Sequence, residues 1–179
     1  SNNESNRFVL RQVPEVVKSK AVWLQAIIVV CAYCGYKGVD NYGLLATQVL
    51  GMDQAESASF TASAAYIRPI AAILAGVIVD KFVASKVISI VFGLLVFAFL
   101  SLTLLVGFNQ LLTIILFNLG LTFIAIFAIR GVYFALIEET NVSCHSTGTA
   151  VGIISLIGFT PDIFFAPITG RILDAYPGV

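Results

Sequence analysis

The chain has 179 residues, 59% of them hydrophobic and 11% charged, with ten basic residues balanced by ten acidic ones and a mean hydropathy of +0.97. Soluble domains carry about 25% charged residues, so this composition excludes a soluble globular fold and specifies an integral membrane protein. The basic residues are scattered and form no stripe, which argues against nucleic acid as a partner.

The polar start SNNESNR is followed by an amphipathic stretch, without the apolar core and small-residue cleavage site of a signal peptide. Residues 1–20 read as a cytoplasmic linker or arm. Phe8, Val9, Leu10, Val13, Val16 and Val17 give it an apolar side, and Arg7, Arg11, Lys18 and Lys20 outnumber Glu4 and Glu15. Such a segment suits a membrane surface, and its positive charge places the amino end inside. The chain lacks an initiator Met and stops at Ala-Tyr-Pro-Gly-Val just after an apolar run, so it reads as a piece of a longer protein.

Residues 21–179 form the membrane domain, starting with a first crossing over about 21–50 and Trp23 as its interfacial anchor. Cys31 and Cys34 have C-x-x-C spacing but lie in an uncharged helical run, where they read as apolar filler. Lys37 and Asp40 are three apart, so they share a face with Tyr33 and can pair. The pair reads equally well as a substrate or proton site on a wet cavity and as an internal ion pair for packing.

The second crossing, 57–80, has one charge between Ser57 and Val79, Arg68 near its centre. A charge at that depth costs about 2.5–3.5 kcal/mol on insertion scales. Arg68 is therefore expected to face the bundle interior, with Asp40, Asp162 or a ligand as its partner. Ala62, Ser63, Ala64, Ala65, Ala71, Ala72, Ala75 and Gly76 permit close helix approach, and Pro69 is expected to bend the helix.

The third crossing, 87–108, is uncharged and structural, and 107–110 reads as a tight turn. The fourth, 111–137, carries Asn118 and Arg130. Arg130 reads as readily as a snorkelling cation, or as a helix-end partner of Glu138, as it does as a cavity group. Glu138 and Glu139 read as solvated or helix-end charges. In the loop that follows, Cys144 and His145 are too few for a zinc site. The fifth crossing, 148–172, contains Thr160-Pro161-Asp162 and Pro167 and is expected to be a kinked helix whose freed backbone groups need a neighbour. Asp162 is the leading candidate for carrying a coupling proton, with a structural hydrogen bond as the alternative.

Six Lys/Arg outside the spans (Arg7, Arg11, Lys18, Lys20, Lys81, Lys86) fall inside under this topology and Arg171 outside. Crossing two ends Gly76-x-x-x-Asp80 and crossing five ends Gly170-x-x-x-Asp174, each with an upstream proline beside a charge (Arg68-Pro69, Pro161-Asp162). Opposite directions for the two copies would match the inverted repeats of secondary transporters.

Three stretches carry a family resemblance. FVLRQVPEVVKSKAVW (8–23) resembles the basic linker and Trp before the seventh helix of a major facilitator superfamily transporter. Gly76-Val-Ile-Val-Asp80-Lys81 resembles the start of that family's loop motif between helices eight and nine. Thr147-Gly-Thr-Ala-Val-Gly, with Gly170-Arg-Ile-Leu-Asp174, resembles the two ends of the eleventh helix. The motif departs at Val83, where its second glycine belongs, and at Ala84-Ser85, where its basic pair belongs; this counts against a gating role for the loop.

The resemblance covers nearly the whole chain. It implies an all-α polytopic membrane helix bundle with five of the six helices of the carboxyl-terminal half, the amino-terminal half and final helix lying outside this sequence. The implied function is secondary active transport of a small solute across the cell membrane, with no cofactor and no metal. Lys37 and Arg68 in a cavity favour an organic anion, with Tyr33, Tyr36, Tyr66, Asn118 and Arg130 as further lining. Asp40 and Asp162 are the proton-coupling candidates, and Gly76, Asp80 and Lys81 the loop motif. A transporter-shaped solute sensor and an inactive fragment are the alternatives. An enzyme is disfavoured, since no Ser/His/Asp set, metal cluster or phosphate loop is evident.

Overall fold

The computed structural model describes residues 13–107, 112–140, 142–143 and 145–175. Residues 8–12 of the arm, 108–110 of the expected turn, and Cys144 lie outside the described residues. Every regular element described is helical. Five stretches are long and apolar enough to cross a membrane: Lys20–Gln48, Gln54–Val79, Ala84–Leu105, Leu112–Glu139 and Thr147–Ala175. The chain is an all-α membrane helix bundle.

The first span is interrupted. Helix α1 (Lys20–Gly38) tightens into a 3-10 turn at Val39–Asn41 before α2 (Tyr42–Gln48). The second span, α3 (Gln54–Val79), begins three residues earlier than the sequence suggests because Asp53 and Glu56 form a capping box. The Glu56 amide donates to Asp53 Oδ1 at 2.7 Å and the Asp53 amide to Glu56 Oε2 at 3.2 Å, satisfying two amides that a helix start leaves free. Gly51, at φ 69°, supplies the left-handed turn just before it. The third span is α4 (Ala84–Gly107). The fourth runs from α5 (Leu112–Val132) through a 3-10 turn at Tyr133–Ala135 to α6 (Leu136–Glu139). The fifth is not one kinked helix but two, α7 (Thr147–Gly158) and α8 (Pro161–Ala175), with Phe159 and Thr160 between them. Pro161 starts the second piece, where a missing N–H is harmless. Pro69 lies inside α3, which remains one continuous helix.

Helix α5 is the centre of the bundle. It packs against α3, α4 and α1, while α7 and α8 pack on α1. In the fourth span 56% of the most apolar window is buried, against 17–28% in the others. The small residues of α3 allow the close approach their size suggests. Ala64, Ala71 and Ala75 are buried, and a Cβ on Gly131 of α5 would stand 3.1 Å from the Cα of Ala72.

Two polar ties hold the carboxyl-terminal end of the fourth span. Gln25, 2% exposed, donates to the Tyr133 carbonyl at 3.1 Å, satisfying an oxygen of the 3-10 turn itself. Glu139 acts as a helix-end charge: its carboxylate oxygens accept from the Ser85 amide at 3.1 and 3.3 Å, capping the first turn of α4.

At Gly158 a Cβ would overlap Cγ1 of Val29 and lie 3.0 Å from its Cβ. Because Val is stiff at χ1, Gly158→Ala is expected to destabilise the protein by about 1–3 kcal/mol through overpacking. Gly93→Ala, in open space on α4, is expected to be neutral or to stabilise by up to about 1 kcal/mol. Thermal unfolding in one detergent compares the two; equal melting temperatures would contradict the α1–α7 packing.

Candidate functional site

The interruptions in spans one and five fall where their charges meet. Lys37 sits in the last turn of α1, and the following 3-10 turn keeps Asp40 within reach, with Lys37 Nζ 3.3 Å from Asp40 Oδ2. Asp162 sits in the first turn of α8, where the helix dipole favours a carboxylate. Its two oxygens are held from α1 by residues one turn apart. Lys37 Nζ lies 3.1 Å from Oδ1, and the Tyr33 hydroxyl donates to Oδ2 at 2.9 Å. Lys37 is thus shared between a carboxylate on its own segment and one across the bundle.

A layer of rings and guanidinium groups lies against this cluster. Tyr33 packs on Tyr36 and Phe159, with centroids 5.7 and 5.0 Å away, and Tyr36 faces Phe127 at 6.5 Å. Arg130, in the last turn of α5, sets its guanidinium carbon 3.8 Å from the Tyr36 centroid and 5.4 Å from that of Tyr33. At such distances a ring face attracts a cation. Tyr133 is the neighbouring hydrogen-bonding side chain of the Arg130 guanidinium, while Nη1 itself is buried without a partner among the described residues. Arg68 stands 6.0 Å from the Tyr36 centroid. With Lys37, Arg68 and Arg130 against Asp40 and Asp162, the ionised cluster carries a net charge of +1.

Several residues depart from their expected partners. Arg68 makes no ion pair among the described residues, because Lys37 engages both carboxylates proposed for it. It shares the 64, 68, 71, 75 stripe of α3 with three buried alanines, so it is directed toward the packed side yet remains exposed. Arg130 neither pairs with Glu138 nor stands apart from the cluster; its C-terminal position on α5 brings it over Tyr36. Asn118 is buried and donates to Ser101 Oγ at 2.6 Å, tying α5 to α4 rather than joining the charged groups. Tyr66 is 78% exposed and lies off the packed stripe of α3. Asp80 and Lys81 are exposed, and Asp80 lies twelve residues, or about 18 Å of helix, from Arg68. Gly76 accepts from the Asp80 amide at 3.0 Å at the end of α3.

Phe159, which packs on Tyr33 from the break in span five, and Gln25 carried no signal as single residues; both matter through contacts between distant segments. A cavity of about 230 Å³ among Asn41, Tyr42, Leu45, Phe99 and Leu102 lies beyond Asp40, but its walls are mostly apolar and it is distinct from the charged cluster.

No family model matches the chain, and no solved structure matches it. It is similar to the inner membrane protein YqcE of Escherichia coli K12, 26% identical over 182 residues, covering 99% of this chain and 43% of the relative. It is similar also to the inner membrane protein YihN of the same strain, 28% identical over 167 residues, covering 92% of this chain and 40% of the relative. An uncharacterized protein of Mycoplasma pneumoniae is 31% identical over 148 residues, covering 74% of this chain and 66% of the relative. The chain spans about two fifths of the length of the two E. coli relatives. Five apolar helices and these relatives together make it an integral membrane protein similar to bacterial inner membrane proteins.

Proposed function

We propose that the chain is part of a secondary active transporter of the major facilitator type, moving a small organic anion by alternating access. One observation carries this reading. Two membrane spans are broken at the points where they present Lys37, Asp40 and Asp162, and two further cations, Arg68 and Arg130, approach the same aromatic layer. Charges inside a membrane are costly and collect along solute and proton pathways. Interrupted helices at such sites are a common feature of transporters, where the altered backbone lines a binding site.

In this reading the net positive charge favours an anion. Asp162 and Asp40 share the coupling role: a proton delivered to Asp162 removes its attraction for Lys37, leaves Lys37 to Asp40, and loosens α8 from α1. The other half of the pathway comes from sequence outside this chain, as the greater length of the relatives allows. The amino end is cytoplasmic.

Full-length protein in proteoliposomes under an imposed proton gradient is expected to accumulate at least one solute from a panel of carboxylates, sugar acids and phosphorylated compounds, about tenfold above protein-free vesicles. Asp162→Asn is expected to abolish accumulation while leaving solute exchange across the vesicle membrane. Unchanged proton-driven uptake by Asp162→Asn would remove the carrier role from that residue. Binding of a solute without uptake would instead identify a sensor.

A further inference from the structure

Resting on the transporter reading, the arrangement of the three cations also specifies where the anionic group is held. Lys37 is the least available of them. Its ammonium already meets Asp40 at 3.3 Å and Asp162 at 3.1 Å, so two carboxylates offset its charge and occupy its donors. Arg130 has no carboxylate at ion-pair distance among the described residues; Tyr133 is its neighbouring hydrogen-bonding side chain, and Nη1 is left buried without an acceptor among those residues. Buried donors are normally hydrogen-bonded, and leaving one unmade is unfavourable. Tyr36 supports the guanidinium from one side at 3.8 Å but offers no oxygen lone pair from its ring face.

Arg68 approaches the same ring. Its guanidinium carbon is 6.0 Å from the Tyr36 centroid, so the carbons of Arg68 and Arg130 are no more than 9.8 Å apart, the sum of 6.0 and 3.8 Å. An oxyanion bound by a guanidinium fork sits about 4 Å from the guanidinium carbon, which lets one small oxyanion reach both groups with modest side-chain movement. The two cations come from α3 and α5, the most extensively packed pair of helices, so the site rests on rigid elements.

We infer that Arg130 and Arg68, set around the Tyr36 ring, form an oxyanion subsite that takes the carboxylate or phosphate of the solute. Lys37 holds Asp40 and Asp162 and makes no contact with the anion. Arg130 supplies the anchoring fork and Arg68, the more exposed of the two, completes the site from α3. A lipid phosphate has the same chemistry as a soluble one, so the source of the oxyanion is part of the test.

The test uses full-length protein in a neutral detergent, with inorganic phosphate and acetate as probes and chloride at matched ionic strength as the reference. Saturable stabilisation by phosphate or acetate beyond chloride is expected in the melting curve. Arg130→Lys, which keeps the charge and loses the fork, is expected to weaken the apparent affinity about tenfold or more. Arg68→Gln, at an exposed position where folding is not at risk, is expected to weaken it about threefold or more, and Arg171→Gln to leave it unchanged. Equal affinity in wild type, Arg130→Lys and Arg68→Gln would overturn the subsite, as would the absence of any effect beyond chloride in lipid-free protein. Displacement of bound phosphate by phosphatidylglycerol at substoichiometric bulk concentration would assign the subsite to lipid and overturn its role in holding solute. Uptake of a neutral solute without any anion response would sink this subsite and leave the transporter reading standing; an anion response without uptake would do the reverse.

Discussion

The contact between Lys37 and Asp162 is the constraint on which the rest of the structure depends. It joins the end of α1 to the start of α8, the two places where membrane spans are interrupted. Magnitudes show why the setting matters. An ion pair this accessible would contribute only about 0–1 kcal/mol in water. Within a membrane span the alternative to pairing is a bare charge, at about 2.5–3.5 kcal/mol for each group on insertion scales. The same 3.1 Å contact is therefore a weak link on a soluble surface and a strong restraint here. Tyr33 reinforces it by donating to the other oxygen of Asp162, and Asp40 competes for the same ammonium. Asp40 would keep that ammonium partnered if its contact to Asp162 opened.

The aromatic layer solves a second problem created by the first. With both carboxylates engaged by Lys37, Arg68 and Arg130 are left without ion-pair partners among the described residues. Ring faces from Tyr33 and Tyr36 attract Arg130 without neutralising it. Tyr33 touches both systems, hydrogen-bonding Asp162 while its ring lies 5.4 Å from the guanidinium of Arg130. The core around α5 supplies a stiff base, with Phe127 beside Tyr36 and the Gly131–Ala72 approach fixing α3 against α5.

Much of this was legible in the sequence, and the failures have physical causes. Composition and the lengths of the apolar runs were enough for five spans, because a helix must satisfy its own backbone in hydrocarbon. The Lys37–Asp40 contact followed from spacing, since residues three apart on a helical segment meet. Helix α3 starts three residues before the apolar run because the polar Asp53 and Glu56 form a capping box, a signal that hydropathy does not carry. The partners of Arg68, Arg130 and Asn118 were not legible. Each depends on which helices touch and in what rotation, and apolar spans with little amphipathic contrast give weak guidance about facing. Pro161 starts a helix rather than only bending one, and Asp162 follows it in the first turn, where it meets Lys37 of α1. Spacing along one helix gave the local partner of Lys37, while its second partner Asp162, and the lack of a carboxylate at Arg68 among the described residues, depend on contacts between helices.

The central claim is that Lys37 and Asp162 act as one energetic unit across the bundle. A double-mutant cycle on the full-length protein tests it most directly, with Lys37→Gln, Asp162→Asn and the two combined, each followed by reversible unfolding in the same mixed micelles. The account predicts a coupling of about 1 kcal/mol or more, with the double variant less destabilised than the sum of the singles. Additive effects, within about 0.3–0.5 kcal/mol, would show that the two residues do not depend on each other and would contradict it.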